Sequence, residues 1–181
     1  LKVRHYRYFD RDTKQVNLDK MMSDLAQAGS EDIVLLHGSC HNPTGADIDF
    51  DAWKLITNMS LQNGFVPFVD VAYQGFGSGL VQDVEGVRYM ASNVEEMLIT
   101  TSCSKSFGLY RERTGAAIVV NNSQSQANNV KGKMLTLARA TYTFPPAHGA
   151  ELVKTILSSQ ELTSCWENEL DHMRQRLISL R

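Results

Sequence analysis

The chain predicts an α/β fold with a mainly parallel sheet sandwiched by helices, and two observations carry that prediction. Short apolar runs alternate with segments of helical periodicity, and each run ends near a polar residue before Gly, Pro or Asn interrupts the pattern. Strands of a parallel sheet, covered on both faces, read as continuous apolar runs rather than as alternating ones.

The elements follow in order. Asn17 caps a helix that carries Met21, Met22 and Leu25 to Ala28, and Gly29 stops it. Ile33 to Leu36 is a strand feeding a loop with Gly38, Asn42, Pro43 and Gly45. A second helix is expected from Asp49 to Asn63, with Phe50, Trp53, Ile56 and Leu61 near one face and Gly64 closing it. Phe65 to Val69 is a strand that delivers Asp70 at its C-terminal end. A weaker helical segment lies within Val84 to Ala91, Met97 to Thr101 is a strand ending at Ser102 and Lys105, and Ala116 to Val120 is another strand. From about Ser123 the chain turns helical, through Val130 to Ala140, Ala147 to Leu157, and Glu161 to the end. Ligands of such sheets bind beyond the carboxyl ends of the strands. The groups at His37 to Asn42, Asp70 to Tyr73 and Ser102 to Lys105 are therefore expected to converge on one crevice.

Composition narrows the class of function. With 181 residues, 43% hydrophobic and 21% charged, the chain reads as about one globular domain. A formal charge of −2 offers no bulk attraction to nucleic acid or an anionic membrane, so small molecules or proteins are the expected partners. No apolar run approaches the ~20 residues of a membrane span, and no signal segment opens the chain. Three cysteines without framework spacing suit a reducing compartment, and the cytoplasm is the expected location. The chain opens in the basic aromatic run KVRHYRYF and closes within a helical pattern, so it reads as a piece of something longer. The basic end MRQRLISLR reads as a solvated helix face.

The stretch SCSKSFGLYRER, Ser102 to Arg113, is the most informative. A lysine partly shielded from water loses its proton readily and condenses with an aldehyde, which makes Lys105 the candidate nucleophile. Ser102, Ser104 and Arg113 suit a phosphate monoester, although Arg113 beside Glu112 also reads as a surface ion pair. No GxxxxGK[ST] loop occurs, so such a phosphate belongs to a cofactor that Lys105 also holds. Asp70 after an apolar strand is either a turn or cap residue or the partner of a cationic group such as a pyridinium nitrogen. Tyr73 and Asn42 are candidate donors to a ring oxygen, with ordinary core packing the other reading of Tyr73. His37, Cys40 and His41 lack a fourth metal ligand, so no metal is expected, and His41 reads as bonding and orienting Asp70.

Five stretches together resemble the aspartate and aromatic amino acid aminotransferases, fold-type I enzymes that use pyridoxal 5′-phosphate. They are YRYF at Tyr6 to Phe9, HGSCHNPTG at His37 to Gly45, FVDVAYQGF at Phe68 to Phe76, SCSKSFGLYRERTGA at Ser102 to Ala116, and ARATYTFPPAHGA at Ala138 to Ala150. The resemblance implies that Lys105 forms the Schiff base with the cofactor and shuttles the substrate's α-proton. It implies that Asp70 pairs with the pyridine nitrogen, that Tyr73 and Asn42 bond the ring oxygen, and that Ala72 lies against the ring. Ser102, Ser104 and Arg113 hold the phosphate, and Asn42 also faces substrate. Arg139 reaches a neighbouring subunit's site and pairs with a dicarboxylic substrate, which implies a homodimer with shared active sites.

By the same resemblance, residues 1–160 are the central part of a large cofactor-binding domain, and residues 161–181 begin a long helix leading to a small domain. Phe144 stands where the family has asparagine. The parts of the family outside this stretch supply a ring-stacking aromatic and the arginine for the α-carboxylate, so the chain alone is expected to be inactive. The implied reaction moves an amino group between aspartate or an aromatic amino acid and 2-oxoglutarate. Alternatives on the same residues are a fold-type I lyase or decarboxylase, or a non-catalytic ligand-sensing domain.

Overall fold

The computed structural model describes residues 2–180. It opens on a short antiparallel hairpin, β1 (Phe9–Asp10) and β2 (Gln15–Val16), which the apolar pattern does not announce. Asp10 accepts from the backbone N–H groups of Asp12 and Thr13 at 3.0 and 3.2 Å, and this side-chain-to-backbone turn makes the hairpin.

Helix α1 (Leu18–Leu25) follows, capped by Asn17, whose side chain accepts from the Lys20 N–H at 3.1 Å. It ends shorter than the expected Ala28, and Met21 and Leu25 are its buried residues. Strand β3 (Ile33–His37), helix α2 (Phe50–Asn63), strand β4 (Val66–Val71), a 3-10 turn (Gln82–Val84), helix α3 (Glu85–Ala91) and strand β5 (Met97–Ser102) then alternate. Strand β6 (Gly115–Val120) precedes helices α4 (Gln124–Thr141), α5 (His148–Leu157) and α6 (Gln160–Ser179).

The four main strands lie in the order β3-β4-β5-β6, the first three parallel and β6 antiparallel to β5. This mixed, mostly parallel sheet flanked by helices is the expected fold class. The strand order from β3 to β5 never reverses, so crossovers of one hand bring α2 and α3 to the same side of the sheet. There Trp53, Ile56, Val87 and Met90 pack with Val34, Leu36, Val69, Val71 and Met97 into one core that also takes Met21 and Leu25 of α1. On the opposite face Ile33 and Leu35 of the edge strand β3 stay 60% and 49% exposed, so within this chain that edge is uncovered.

The segment before the hairpin is tied down by ion pairs. Arg7 donates from its backbone and guanidinium to Asp24, and those bonds hold the Asp24 carboxyl at about 2, below the ordinary range. The Tyr6 hydroxyl donates to the Leu35 carbonyl at 2.8 Å, and burial pushes its pKa up to about 12.

Trp53 is only 4% exposed at the centre of the core. Its replacement by alanine is expected to cost about 3–5 kcal/mol, measured by urea unfolding of the whole protein. A loss under about 1 kcal/mol would contradict the packing described here.

Candidate functional site

Two strand ends form the first wall. His37 and Asp70 are register partners across β3 and β4, and Asp70 pairs with Thr100 across β4 and β5. Immediately after β3 the Gly38 N–H donates to the Asp70 carbonyl at 2.8 Å. A Cβ at Gly38 would stand 2.9 Å from Val71 Cγ2, so the close approach of the two chains requires glycine there. Beyond it Cys40 takes a left-handed φ of 51°, and the Asp47 carboxylate accepts from the N–H groups of Cys40 and His41 at 2.8 and 2.7 Å. This bonding fixes the loop that presents Ser39 and Asn42.

The histidines play a different part from the one the sequence suggests. His41 stacks on Tyr8 with ring centres 4.1 Å apart, lies 4.5 Å from His37, and shares a 2.9 Å hydrogen bond with the Thr44 hydroxyl. Asp70 instead accepts from the Thr100 hydroxyl at 3.1 Å, so a strand neighbour orients it rather than His41. Burial, and then the neighbouring His37, lower the His41 pKa from the ordinary 6.5.

That shift has a sign. The unfolded chain protonates His41 more readily, so stability falls as the pH drops below about 6.5 towards the folded value and is unaffected above it. Replacing His41 with Phe, which keeps a ring in the stack, is expected to shrink the fall in urea midpoint between about pH 7.5 and pH 5.5. An unchanged fall would refute it.

The second wall is the turn after β5. The Ser102 hydroxyl accepts from the Ser104 N–H at 3.1 Å, and the Phe107 and Gly108 N–H groups donate to the carbonyls of Cys103 and Lys105 at 3.3 and 3.1 Å. Helix α6 supports this turn: the Trp166 indole donates to the Ser106 carbonyl at 2.7 Å, and its ring stacks on Phe107 at 4.4 Å. The same helix packs Leu170 over Gly75, which has φ +95° and room for no Cβ. The loop from Gly75 to Gly79 gathers its backbone N–H groups on the buried Asp83 carboxylate at 2.6–3.2 Å, and this holds the chain that carries Tyr73.

Between these walls lies a cavity of about 270 Å³ lined by His37, Ser39, Asn42, Asp70, Ala72, Tyr73 and Lys105. Lys105 Nζ is 5.1 Å from the centre of the Tyr73 ring and 5.7 Å from that of Tyr110. Asn42 Nδ2 lies 3.4 Å from the Tyr73 hydroxyl, so the phenol faces the site instead of serving only as packing. A larger groove of about 660 Å³ runs beside the cavity, between the lysine turn and α6, and its walls are mostly apolar. Amine, carboxylate, phenol and amide meet in the smaller cavity.

Of the residues singled out in the sequence, Lys105, Asp70, Tyr73 and Asn42 line that cavity. Ser102, Ser104 and Arg113 belong to the lysine turn and its continuation but are not on the cavity wall, and Ser104 is buried. Arg113, at a left-handed φ of 53°, donates to the Tyr110 carbonyl at 3.0 Å. Its neighbour Glu112 bonds His148 at 2.9 Å, so the surface pair between Arg113 and Glu112 is not formed. Arg139 is exposed on α4, away from the cavity. The sequence reading missed Ser39 and Thr100. Thr100 was discoverable, because parallel pairing sets the strand after Asp70 beside it, whereas Ser39 carries no spacing signal.

Comparison with known proteins extends these observations. The family model described as aminotransferase class I and II matches residues 1–181. The chain is 46% identical over 181 residues to an aromatic-amino-acid aminotransferase of Paracoccus denitrificans and 42% identical to an aspartate aminotransferase of Escherichia coli (strain K12). In each case it is matched over 100% of its length but spans only 46% of the relative. Among solved structures it is similar to an aromatic amino acid aminotransferase with 3-indolebutyric acid, at a TM-score of 0.98 and 46% identity over 99% of this chain and 46% of that one. It is also similar to an aromatic-amino-acid aminotransferase from Burkholderia pseudomallei covalently bound to pyridoxal phosphate, at a TM-score of 0.95 and 38% identity over 97% of this chain and 44% of that one.

Proposed function

Because the chain belongs to the class I and II aminotransferase family, we propose that the whole protein moves an amino group between aspartate or an aromatic amino acid and 2-oxoglutarate. One observation carries this reading: Lys105, Asp70, Tyr73 and Asn42 line a single cavity at the carboxyl ends of the strands. The named relatives are aminotransferases, which favours that activity over a lyase, a decarboxylase or a ligand sensor.

The family uses pyridoxal 5′-phosphate, and the donor set of this cavity fits that group. It offers an amine for the aldehyde, a carboxylate for a protonated ring nitrogen, and a phenol and an amide for the ring oxygen. When bound, the cofactor supplies an electron-withdrawing ring that stabilises charge at the substrate's α-carbon. Lys105 Nζ anchors the group and afterwards takes up and returns the α-proton. Asp70, one oxygen of which is held by Thr100, keeps its charge directed at the ring nitrogen. Tyr73 and Asn42 orient the opposite side of the ring. Ser102, Ser104 and Arg113 grip the phosphate, a role supported by their position on the turn that carries Lys105.

Arg139 pairs with the side-chain carboxylate of a dicarboxylic substrate in a neighbouring subunit's site, within a homodimer. Helix α4 supports that reading, since none of its residues is buried and Leu135 and Leu137 are 61% and 67% exposed. Residues 1–160 form the central part of the cofactor-binding large domain and residues 161–181 begin the helix to a small domain, so the isolated chain is inactive. No helix among the described residues is long and apolar enough to cross a membrane, and the proposed location is the cytoplasm.

The test is chemical. The whole protein is mixed with pyridoxal phosphate, reduced with borohydride and mapped by peptide. A label on Lys105 is expected, and a label elsewhere would overturn the assignment. Aspartate and 2-oxoglutarate are then supplied, and failure to form oxaloacetate and glutamate would exclude aspartate transamination.

A further inference from the structure

We propose that Ser39 is a cofactor-binding residue whose hydroxyl hydrogen-bonds the bound pyridoxal phosphate. This rests on the reading of the cavity given above. Ser39 lines the cavity with Asp70, Asn42, Tyr73 and Lys105, and its residue is only 7% exposed. Its Oγ has no hydrogen-bond partner among the described residues. Buried hydroxyls are ordinarily satisfied, and one on a residue that lines a binding cavity, without a protein partner, is a candidate for satisfaction by what the cavity holds.

The loop holds the Ser39 backbone at the cavity wall. On one side Gly38 is bonded to the Asp70 carbonyl and packed against Val71, and on the other Cys40 and His41 are bonded through their N–H groups to Asp47. The backbone is thus fixed on both sides of Ser39, and only rotation about χ1 redirects its hydroxyl. In sequence Ser39 stands between His37, the register partner of Asp70, and Asn42, the neighbour of the Tyr73 hydroxyl. It therefore joins the polar set that the two side chains Asp70 and Asn42 begin.

The experiment uses the whole protein and pyridoxal phosphate itself. Cofactor affinity is measured by spectral titration of the cofactor-free enzyme for wild type, Ser39→Ala and Ser39→Cys, together with the pH midpoint of the visible absorbance and the thermal midpoint of the cofactor-free protein. Ser39→Ala is expected to weaken binding by about 3- to 10-fold and to move the absorbance midpoint, with Ser39→Cys, a weaker donor, falling between. The cofactor-free thermal midpoint stays at or above that of wild type, because removing an unsatisfied buried hydroxyl costs nothing. Wild-type affinity and an unmoved absorbance midpoint in Ser39→Ala would overturn the inference, as would a lowered cofactor-free midpoint with unchanged affinity, which marks a purely structural serine. Should Ser39→Ala fail to fold, Ser39→Cys decides: weakened binding supports the inference and wild-type binding overturns it. Failure of the wild type to take up the cofactor at Lys105 would instead sink the underlying reading.

Discussion

Replacing Lys105 with alanine in the whole protein is expected to abolish the borohydride-fixed label and to lower transamination by about 10²- to 10⁴-fold or more. The reasoning is local. Lys105 is the amine on the cavity wall, held half-buried on a turn that hydrogen bonds and α6 keep in place, near the rings of Tyr73 and Tyr110. A surface lysine could be removed without such a loss. Core residues are untouched by the change, so urea stability should stay within about 0.5 kcal/mol of wild type. A variant that retained more than about a tenth of the wild-type rate would show that Lys105 neither anchors the cofactor nor moves the proton.

The second large effect is expected at Asp70. Its replacement by asparagine preserves shape and an oxygen that can still accept from Thr100, but removes the charge proposed to pair with the ring nitrogen. Once the cofactor fills the cavity the pair is desolvated, and removing one partner of a buried charge pair costs about 3–5 kcal/mol, which converts to a fall in turnover of about 10²- to 10⁴-fold. Asp70→Glu keeps the charge and moves it, so its rate should lie between those of Asp70→Asn and wild type. Equal rates for Asp70→Asn and wild type would remove Asp70 from the mechanism. Together the two variants separate roles: the lysine change eliminates covalent capture, whereas the Asp70→Asn enzyme should still be labelled on Lys105.

Much of this was legible before any coordinates. Ile33 to Leu36 and Met97 to Thr101 were readable because a run of apolar residues framed by charge and glycine has few alternatives to a buried strand. Asp70, Tyr73, Asn42 and Lys105 were readable because strand ends in a parallel sheet converge, and these four meet in one cavity. Other features lay outside the reach of pattern. The strands of the β1–β2 hairpin are two residues each, too short for any period to show. His41 appeared to serve Asp70 because both are polar and near strand ends, yet ring stacking on Tyr8 decided its place. Ser39 is significant only through burial and the absence of a partner, and neither property is written in spacing.

The bond from Trp166 to Ser106 joins residues 60 positions apart, and it makes the reactive amine mechanically dependent on the last helix. Because the indole is both stacked on Phe107 and bonded to the residue next to Lys105, a tilt of α6 would break these contacts or move that turn with it. Leu170 on the same helix bears on Gly75, beyond Tyr73, so a tilt would load both walls of the cavity together. The position of the lysine is thereby tied to a helix that lends the cavity no lining residue.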